Sequence, residues 1–408
     1  MDENNKLMTS KPEANNRTTL LSTQTDVNMP EKCSSSLDII ERATNHGLQE
    51  HQRIIRLISI YIIITVIGLA CIAMIIAFIL LPIIFAHWVY IQRLAMFTNV
   101  GLPSDRNYYK KLDEHPTVLF RNFYIDFTDR SNLSISLGVW HFVAFPSYPN
   151  ETVFPSQFDY DQSLKNNTAD VVIYFHGSGE SRKDPLMMYN VLLRFFHVVA
   201  FDYRDYADST PAILSEKDVA EDAIHVFEWV RSLTSKRIYV WGHSLGTPLS
   251  TLTINGLPEK LLPHGLILEA PMTSMDEEIS EHPYGRVFAW LPWFDQTIRH
   301  PLKMNGFLFA TDEYILNVTC PIMILHAEDD SIIPYTLGKK LAKIAREYRP
   351  KDVGNVTYVQ FDAKYKFDHF RIWQSKRLLT FIPNFTLICD EYYNKTHVIP
   401  RGSTTIKV

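Results

Sequence analysis

A stretch without a single Lys, Arg, Asp or Glu separates Arg56 from Arg93, and it constrains this chain more than any other feature. It is 36 residues long, and its centre reads LISIYIIITVIGLACIAMIIAFILLPIIF. A helix needs about 20 predominantly apolar residues to cross a bilayer. The core helix of a soluble protein is the alternative, but such a helix carries a polar stripe that is missing here. The sequence therefore predicts a transmembrane anchor at 57–92.

The glycosylation signals lie mostly on the C-terminal side of this anchor. Seven of the 14 asparagines after residue 93 begin an Asn-x-Ser/Thr triplet, against a single triplet at Asn16 before the anchor. Flanking arginines favour a cytoplasmic N-terminus by a small margin. We therefore predict a single-pass type II protein of the endoplasmic reticulum or plasma membrane, with its larger part lumenal or extracellular. The candidate glycosylation sites are Asn132, Asn150, Asn166, Asn317, Asn355, Asn384 and Asn394.

The rest of the chain divides around the anchor. Residues 1–56 form the predicted cytoplasmic tail, which is poor in aromatic residues and is expected to be largely disordered. From residue 37 the tail has apolar residues at helical spacing, which predicts a helix that runs into the anchor. After the anchor, the predicted parts are a linker at 93–112, an α/β domain at 113–390 and a C-terminal tail at 391–408.

The domain at 113–390 alternates between short apolar runs and segments with helical periodicity. Runs such as ADVVIYF and CPIMIL indicate buried strands, and DVAEDAIHVFEWVRSL indicates an amphipathic helix. This alternation predicts a mainly parallel sheet covered by helices on both faces, with the active site beyond the carboxyl ends of the strands. A Trp- and Pro-rich segment at about 272–319 interrupts the alternation. It is either a small cap over the active site or an ordinary packed loop.

Composition argues against several classes of function. The formal net charge is −5 and the isoelectric point is about 6.3, so nothing favours nucleic-acid binding. The four cysteines match neither a disulfide scaffold nor a metal site, and no Gly-rich dinucleotide fingerprint follows an early strand. We therefore expect no metal and no cofactor. Cys320 and Cys389, the two cysteines beyond the anchor, form either a disulfide or two buried thiols.

One serine stands between two glycines at the end of a predicted strand, in YVWGHSLGT. The pattern Gly242-His243-Ser244-Leu245-Gly246 is typical of a nucleophile elbow, a strained turn that presents the serine above the sheet. A glycine-softened turn with a capping serine is the alternative. A nucleophilic serine needs a histidine base and an orienting acid, in the chain order Ser, acid, His for this fold. The partners therefore decide between the two interpretations.

Both partners are present at the ends of later predicted strands. HAEDDSIIP supplies Glu328, Asp329 and Asp330, and YKFDHF supplies His369 just before the last helix. The backbone N–H groups of Leu245 and of Ser178, in HGSGE, are the expected oxyanion donors. Together these residues predict an α/β-hydrolase fold, preceded by one transmembrane helix.

With these residues placed, the chain resembles a known family. FDYRDYADS, YVWGHSLGT, LILEAPMTS and CPIMILHAEDDSIIPYTLGKKL are similar to the membrane-anchored lysophosphatidylserine and monoacylglycerol lipases named α/β-hydrolase domain-containing protein twelve. The resemblance covers about residues 110–385 and implies the catalytic triad Ser244, Asp330 and His369. It assigns His326 and His243 to the framework. Asp205 and Ala207 depart from it, because glycines usually stand at these positions in the family.

The predicted activity is that of a serine hydrolase that cleaves single-chain ester lipids, a lysophospholipid or a monoacylglycerol, through an acyl-enzyme on Ser244. Its expected partners are the lipid substrate and the bilayer, and the sequence names no protein partner. An acyl-protein thioesterase with the same triad is one alternative. A non-catalytic adhesion or receptor ectodomain on the same fold is the other, although such proteins typically lose the serine or the histidine.

Overall fold

The first helix, α1, runs without a break from Glu31 to Ile75. It lies almost wholly in the first of two compact units, which divide between Met74 and Ile75. Our computed structural model of the protein describes residues 31–112, 118–148, 155–166 and 168–396. The outer parts of both predicted tails and the sequon at Asn150 lie outside these residues. The helix begins six residues before the predicted position at 37, so the described part of the N-terminal tail is helical.

The helical segment Asp38–His87 is long and apolar enough to cross a membrane, by length and composition. Its side chains from 57 to 75 are all exposed. At 1.5 Å per residue, these 19 residues reach about 28 Å, close to the roughly 30 Å of a hydrocarbon core. Beyond them the helix changes to a π-helical turn, Ile76–Leu80, and Pro82 is buried in the second unit. Exposed apolar side chains continue after residue 75, at Ile76, Ile79, Leu80, Leu81 and Ile83, so the span 57–92 stays a prediction.

The segment predicted as a linker, 93–112, begins inside a helix that packs on the hydrolase core. A helix, Val89–Phe97, occupies its beginning, and Gln92 and Phe97 are fully buried. Phe97 packs edge-on against Phe309, with 5.5 Å between the ring centroids. The apolar residues of VYIQRLAMF pack on the hydrolase core. Because they directly follow the charge-free segment, the sequence does not show where the predicted anchor ends and the core helix begins.

The second unit is built around a mainly parallel sheet of eight strands within the described residues. Their order is β1-β2-β4-β3-β5-β6-β7-β8, and only the pairs β1–β2 and β2–β4 are antiparallel. The strands are β1 Phe120–Thr128, β2 Ser134–Phe142, β3 Asp170–Phe175, β4 Phe196–Phe201, β5 Ile238–His243, β6 Gly265–Glu269, β7 Ile322–Ala327 and β8 Val356–Phe361.

Helices follow most of these strands. After α1 come α2 Leu81–His87, α3 Val89–Phe97, α4 Tyr160–Lys165, α5 Leu186–Leu192, α6 Glu216–Leu233, α7 Gly246–Gly256, α8 Met275–Glu281, α9 Pro283–Ala289, the π-helical turn Asp295–Arg299, α10 His300–Met304, α11 Thr311–Tyr314, α12 Tyr335–Tyr348 and α13 Leu378–Thr396. The last helix ends six residues beyond the predicted domain boundary at 390.

Alternate residues of the central strands enter two separate cores. Val171 and Ile173 join the core that contains α6 and α7, whereas Val172 and Tyr174 join the core that contains α5 and α13. A parallel strand buried on both faces explains why these segments read as continuous apolar runs. The predicted fold class, a mainly parallel sheet covered on both faces, is therefore confirmed.

The described candidate glycosylation sites lie at the surface, and the two cysteines after the predicted anchor lie in the interior. The six described sequon asparagines, Asn132, Asn166, Asn317, Asn355, Asn384 and Asn394, are all exposed. Cys320 and Cys389 are free thiols, and both are buried. Burial raises the pKa of the Cys320 thiol to about 12, so it is protonated at neutral pH.

Candidate active site

Ser244 occupies a strained turn between β5 and α7. Its φ is +52°, in the left-handed region, and its backbone N–H donates to the Glu269 carbonyl at 3.0 Å. A Cβ on Gly242 would lie 2.5 Å from the Gly246 carbonyl oxygen, and a Cβ on Gly246 would overlap the backbone of Phe175. Both glycines are therefore required for the turn, as in a nucleophile elbow. A turn that merely capped a helix would need neither close approach.

His369 lies against Asp330 at the carboxyl edge of the sheet. Its Nδ1 is 2.8 Å from Asp330 Oδ2, and both side chains are buried. The other oxygen, Oδ1, accepts the backbone N–H groups of Ile332 at 2.9 Å and Ile333 at 2.8 Å. His326 Nε2 also approaches Oδ2, at 3.2 Å. Asp330 is therefore fixed by backbone donors while it orients the imidazole of His369.

The charges at this pair suit a general base. Burial alone would raise the pKa of Asp330, but the hydrogen bonds from His326 and His369 hold it well below its ordinary value. Burial lowers the pKa of His369, and the pairing with Asp330 opposes this shift only in part. A neutral imidazole beside a charged carboxylate is the state from which a base accepts a proton.

Neither Asp329 nor His243 occupies a competing position. Asp329 Oδ2 accepts the backbone N–H of Asp368 at 3.1 Å and does not contact His369. His243 has both ring nitrogens occupied, Nδ1 with Glu180 Oε2 at 3.1 Å and Nε2 with the His369 carbonyl oxygen at 3.1 Å. His243 is therefore a structural link beside the serine, as the family resemblance implies.

A buried ion pair lies directly beside the elbow. Burial would lower the pKa of His243, but the adjacent Glu180 carboxylate raises it to about 9. The pKa of Glu180 moves the other way, to about 2, because contacts with His243 and the Gly177 N–H outweigh its burial. Sequence reasoning missed Glu180, although it follows Gly177 by three residues in HGSGE, a spacing that closes a turn. His243 is therefore charged at neutral pH.

The loop that carries Ser178 is held from two sides. Glu180 Oε2 accepts the Gly177 N–H at 2.7 Å within the loop. The Ser178 hydroxyl donates to the Met96 carbonyl at 3.1 Å, and the Gly179 N–H donates to the Phe97 carbonyl at 3.1 Å. The end of α3 therefore fixes the loop expected to supply an oxyanion donor, a role that the predicted linker did not include.

One cavity opens onto the serine. Its volume is about 300 Å³, and Ser244, Leu245 and Ser178 line it together. Most of its remaining wall is apolar and comes from α3, the start of the cap and the loop after β7. The polar residues of the cap in this wall are Glu278 on α8 and His282 directly after that helix. No hydrogen bond joins Ser244 Oγ to His369 among the described contacts, which is common before substrate binds.

The cap spans the segment predicted at 272–319 and contributes part of that wall. Leu291 and Phe294 point inward and are 6% exposed, whereas Trp290 is 71% exposed. Trp293 Nε1 donates to the Phe78 carbonyl at 2.9 Å, in the π-helical turn. The ring of Phe288 also meets that of Phe78, with 5.5 Å between centroids. The aromatic residues of the cap thus divide between its core and the apolar helix.

No group of three or more His, Cys, Asp and Glu side chains that could hold a metal lies within the described ranges. The residues that the structure assembles are instead a serine, a histidine, an aspartate and backbone donors. This set performs acyl transfer by nucleophilic catalysis.

Comparisons with known proteins identify the chains to which this one is similar. A family model described as alpha/beta hydrolase fold matches residues 170–262. Lysophosphatidylserine lipase ABHD12 of Mus musculus is 35% identical over 271 residues, which cover 65% of this chain and 66% of the mouse protein. The protein of the same name from Danio rerio is 31% identical over 360 residues, 86% of this chain and 87% of its own. Among solved structures, the Pyrococcus furiosus esterase Pf2001 aligns with a TM-score of 0.45 and 16% identity, over 70% of this chain and 93% of that chain.

Proposed function

Because the chain belongs to the ABHD12 family of α/β-hydrolases, we propose that it is a membrane-anchored serine hydrolase that cleaves the acyl ester of single-chain lipids. The observation that carries the proposal is the 2.8 Å contact between His369 and Asp330 beside the strained Ser244. The substrate class follows from the relatives, which are named lysophosphatidylserine lipases. A monoacylglycerol, which has the same ester and a smaller headgroup, is the second substrate of this class.

The reaction proceeds in two acyl-transfer steps. Ser244 Oγ attacks the ester carbonyl carbon while His369 Nε2 takes the hydroxyl proton, and Asp330 stabilises the imidazolium. The backbone N–H groups of Leu245 and Ser178 stabilise the tetrahedral oxyanion. The glycerol oxygen then leaves with the proton from His369, and an acyl-enzyme remains. Water, deprotonated by His369, attacks the acyl carbon and releases the fatty acid.

Labelling by a fluorophosphonate probe tests the nucleophile. The purified full-length protein should react at Ser244, identified by mass spectrometry of the labelled peptide. Ser244→Ala should lose the label and at least about 10³-fold of its activity on 1-oleoyl lysophosphatidylserine. Ser250→Ala, in the next turn of α7, is the matched control and should label normally. Substantial turnover by purified Ser244→Ala would contradict the assignment.

The membrane arrangement is part of the same proposal. We expect α1 to cross the bilayer at 57–75 and the hydrolase unit to lie on the lumenal or extracellular side, in the endoplasmic reticulum or plasma membrane. The exposed positions of all six described sequons support this orientation. The exposed ring of Trp290, whose centroid is 6.4 Å from that of Phe78, supports a cap that contacts the membrane interface.

An acyl-protein thioesterase would use the same triad, so catalytic geometry does not exclude it. Assays with one acyl chain presented as a lysophospholipid and as a cysteine thioester peptide separate the two functions. The third possibility from the sequence, a non-catalytic ectodomain, is disfavoured, because such proteins typically lose the serine or the histidine and this chain keeps Ser244, Asp330 and His369.

A further inference from the structure

The catalytic cavity contains one carboxylate that the proposed reaction does not use. Glu278 lies on α8 and lines the cavity together with Ser244 and Ser178. Its neighbours on the helix are already paired, Asp276 with Arg299 and Glu277 with Lys340. Among the described side chains, Glu278 has no hydrogen bond and no ion pair, and the one charge that acts on it is the negative charge of Asp330. Its carboxylate therefore faces the cavity without a counter-charge.

The cavity offers no such counter-charge from the protein. No Lys or Arg belongs to its described lining, and burial lowers the pKa of His282 in that lining, so its imidazole is neutral at pH 8. Burial raises the pKa of Glu278 to about 7, with a further contribution from Asp330, so the carboxylate is largely ionised only above neutral pH. A partly buried carboxylate without a partner is costly, and a ligand that brings a positive charge removes that cost. A headgroup without such a charge does not.

We propose that Glu278 is the subsite for a primary ammonium in the lipid headgroup, as in the serine of a lysophosphatidylserine. The inference rests on the proposed function, because the ammonium enters the cavity on the lipid whose ester Ser244 attacks. A hydrogen bond between ammonium and carboxylate is charge-assisted and stronger than one between neutral groups. The glycerol hydroxyls of a monoacylglycerol can donate to Glu278 but bring no positive charge, so they leave the carboxylate without a counter-charge. Glu278 therefore selects between headgroups.

The test compares substrates that differ only in this charge. Full-length enzyme is assayed at pH 8 with 1-oleoyl lysophosphatidylserine and with its N-acetyl derivative, in which a neutral amide replaces the ammonium. The wild type should prefer the free amine by about tenfold or more in kcat/KM, the size expected for a hydrogen bond between charged groups. Glu278→Gln should reduce this ratio to near one. Glu281→Gln, on the exposed side of the same helix, should keep the wild-type ratio.

The ratio is measured within each variant, so a general loss of activity or folding cancels. Glu278→Asp keeps the charge on a shorter side chain and should retain part of the preference. An unchanged ratio in Glu278→Gln, or faster cleavage of the free-amine lipid by that variant, would overturn the subsite. The second result would mean that Glu278 mainly repels the headgroup phosphate.

A competition experiment separates this inference from the proposed function. Glycerophosphoserine should inhibit hydrolysis of p-nitrophenyl butyrate by the wild type at concentrations where its N-acetyl derivative does not. Glu278→Gln should lose that difference. If the enzyme cleaves the short ester but no lipid, the proposed function fails while this inhibition still decides on the subsite. Equal inhibition by both compounds would refute it.

Discussion

Replacing Glu180 by Gln should move the acid limb of the pH–activity profile to higher pH. The variant removes the negative charge that keeps His243 protonated, but its amide oxygen can still accept the Gly177 N–H that Glu180 binds at 2.7 Å. Without Glu180, burial lowers the pKa of His243 against only the Glu269 carboxylate and the His369 carbonyl, so His243 loses its proton at a lower pH. The positive charge of His243 is one cause of the lowered pKa of His369. Its loss therefore raises the pKa of His369, and the base is protonated at a higher pH.

The size of the shift follows from the separation of the two rings. The His243 and His369 centroids are 5.0 Å apart. Coulomb's law at that distance gives about 0.8 kcal/mol for an effective dielectric of about 80 and about 3 kcal/mol for about 20. These energies correspond to between roughly 0.6 and 2.4 pH units. Asp330 and His326 also act on His369, but the variant leaves both in place.

The assay is the pH dependence of kcat/KM on a short ester between pH 4.5 and 8.5, because this ratio reports the free enzyme. Glu328→Gln is the matched control, since Glu328 binds Gln360 and the Ala363 N–H at the same edge of the sheet and does not touch His243. A drop in kcat with no movement of the limb would show that Glu180 only holds the loop. A limb that moved to lower pH would refute the electrostatic reasoning.

Four further outcomes are expected. Asp330→Asn should lose about 10³–10⁴-fold in kcat and Asp329→Asn far less, because only Asp330 contacts His369; equal losses in an esterase assay would contradict the assignment. Glycosidase treatment of the full-length protein should increase its electrophoretic mobility by an amount that corresponds to the loss of several glycans. A protein whose mobility does not change, and whose hydrolase domain is cut by protease added to the cytosolic side, would contradict the orientation. Arg182→Met should lower the free energy of unfolding by about 3–5 kcal/mol in urea, because it leaves Asp202 and Asp208 buried without their counter-charge. The control Arg130→Met, which breaks the exposed pair with Glu221, should lower it by less than about 1 kcal/mol. Burial lowers the pKa of His197 to about 4, so the neutral side chain is fully compatible with the fold above about pH 6.5 and this stability is lost as the pH falls toward 4. The free energy of unfolding should therefore drop by about 2 kcal/mol per such histidine between pH 6.5 and 5. A free energy that does not change with pH in this range would contradict the prediction.

The central strands along the chain, their mainly parallel arrangement and the edge at which the site lies were predictable from sequence. A parallel strand that is buried on both faces appears in the sequence as an apolar run. A polar residue of the site directly follows such a run, where the chain leaves the sheet. Ser244 and His369 each follow a strand in this way. The choice of Asp330 over Asp329 needed the family resemblance, because adjacent aspartates on one turn give the same pattern. Which of them faces the histidine depends on the backbone donors of Ile332 and Ile333.

Backbone conformation marks another limit of sequence reasoning. Asp205 and Ala207 have φ values of +63° and +50°, the left-handed region in which glycine is favoured. The resemblance pointed to these positions because the family usually has glycines there. The fold keeps the turn although the residues have changed, and Asn99 Nδ2 supports it by donating to the Asp205 carbonyl at 2.7 Å. A substitution against the local preference can thus be held by a contact that is distant in sequence.

The end of α3 was the least predictable part of the site, for a physical reason. Its residues are apolar because they enter the hydrolase core, and the residues before it are apolar because, on our proposal, they cross a membrane. Apolar residues therefore suit both the segment proposed to face lipid and the segment in the protein interior, and no charged residue marks the boundary between them. The change matters for catalysis, because the carbonyls of Met96 and Phe97 hold the loop of Ser178. The segment after the proposed anchor thus supports the loop that we propose as part of the oxyanion site, and the hydrolase unit begins well before its first strand.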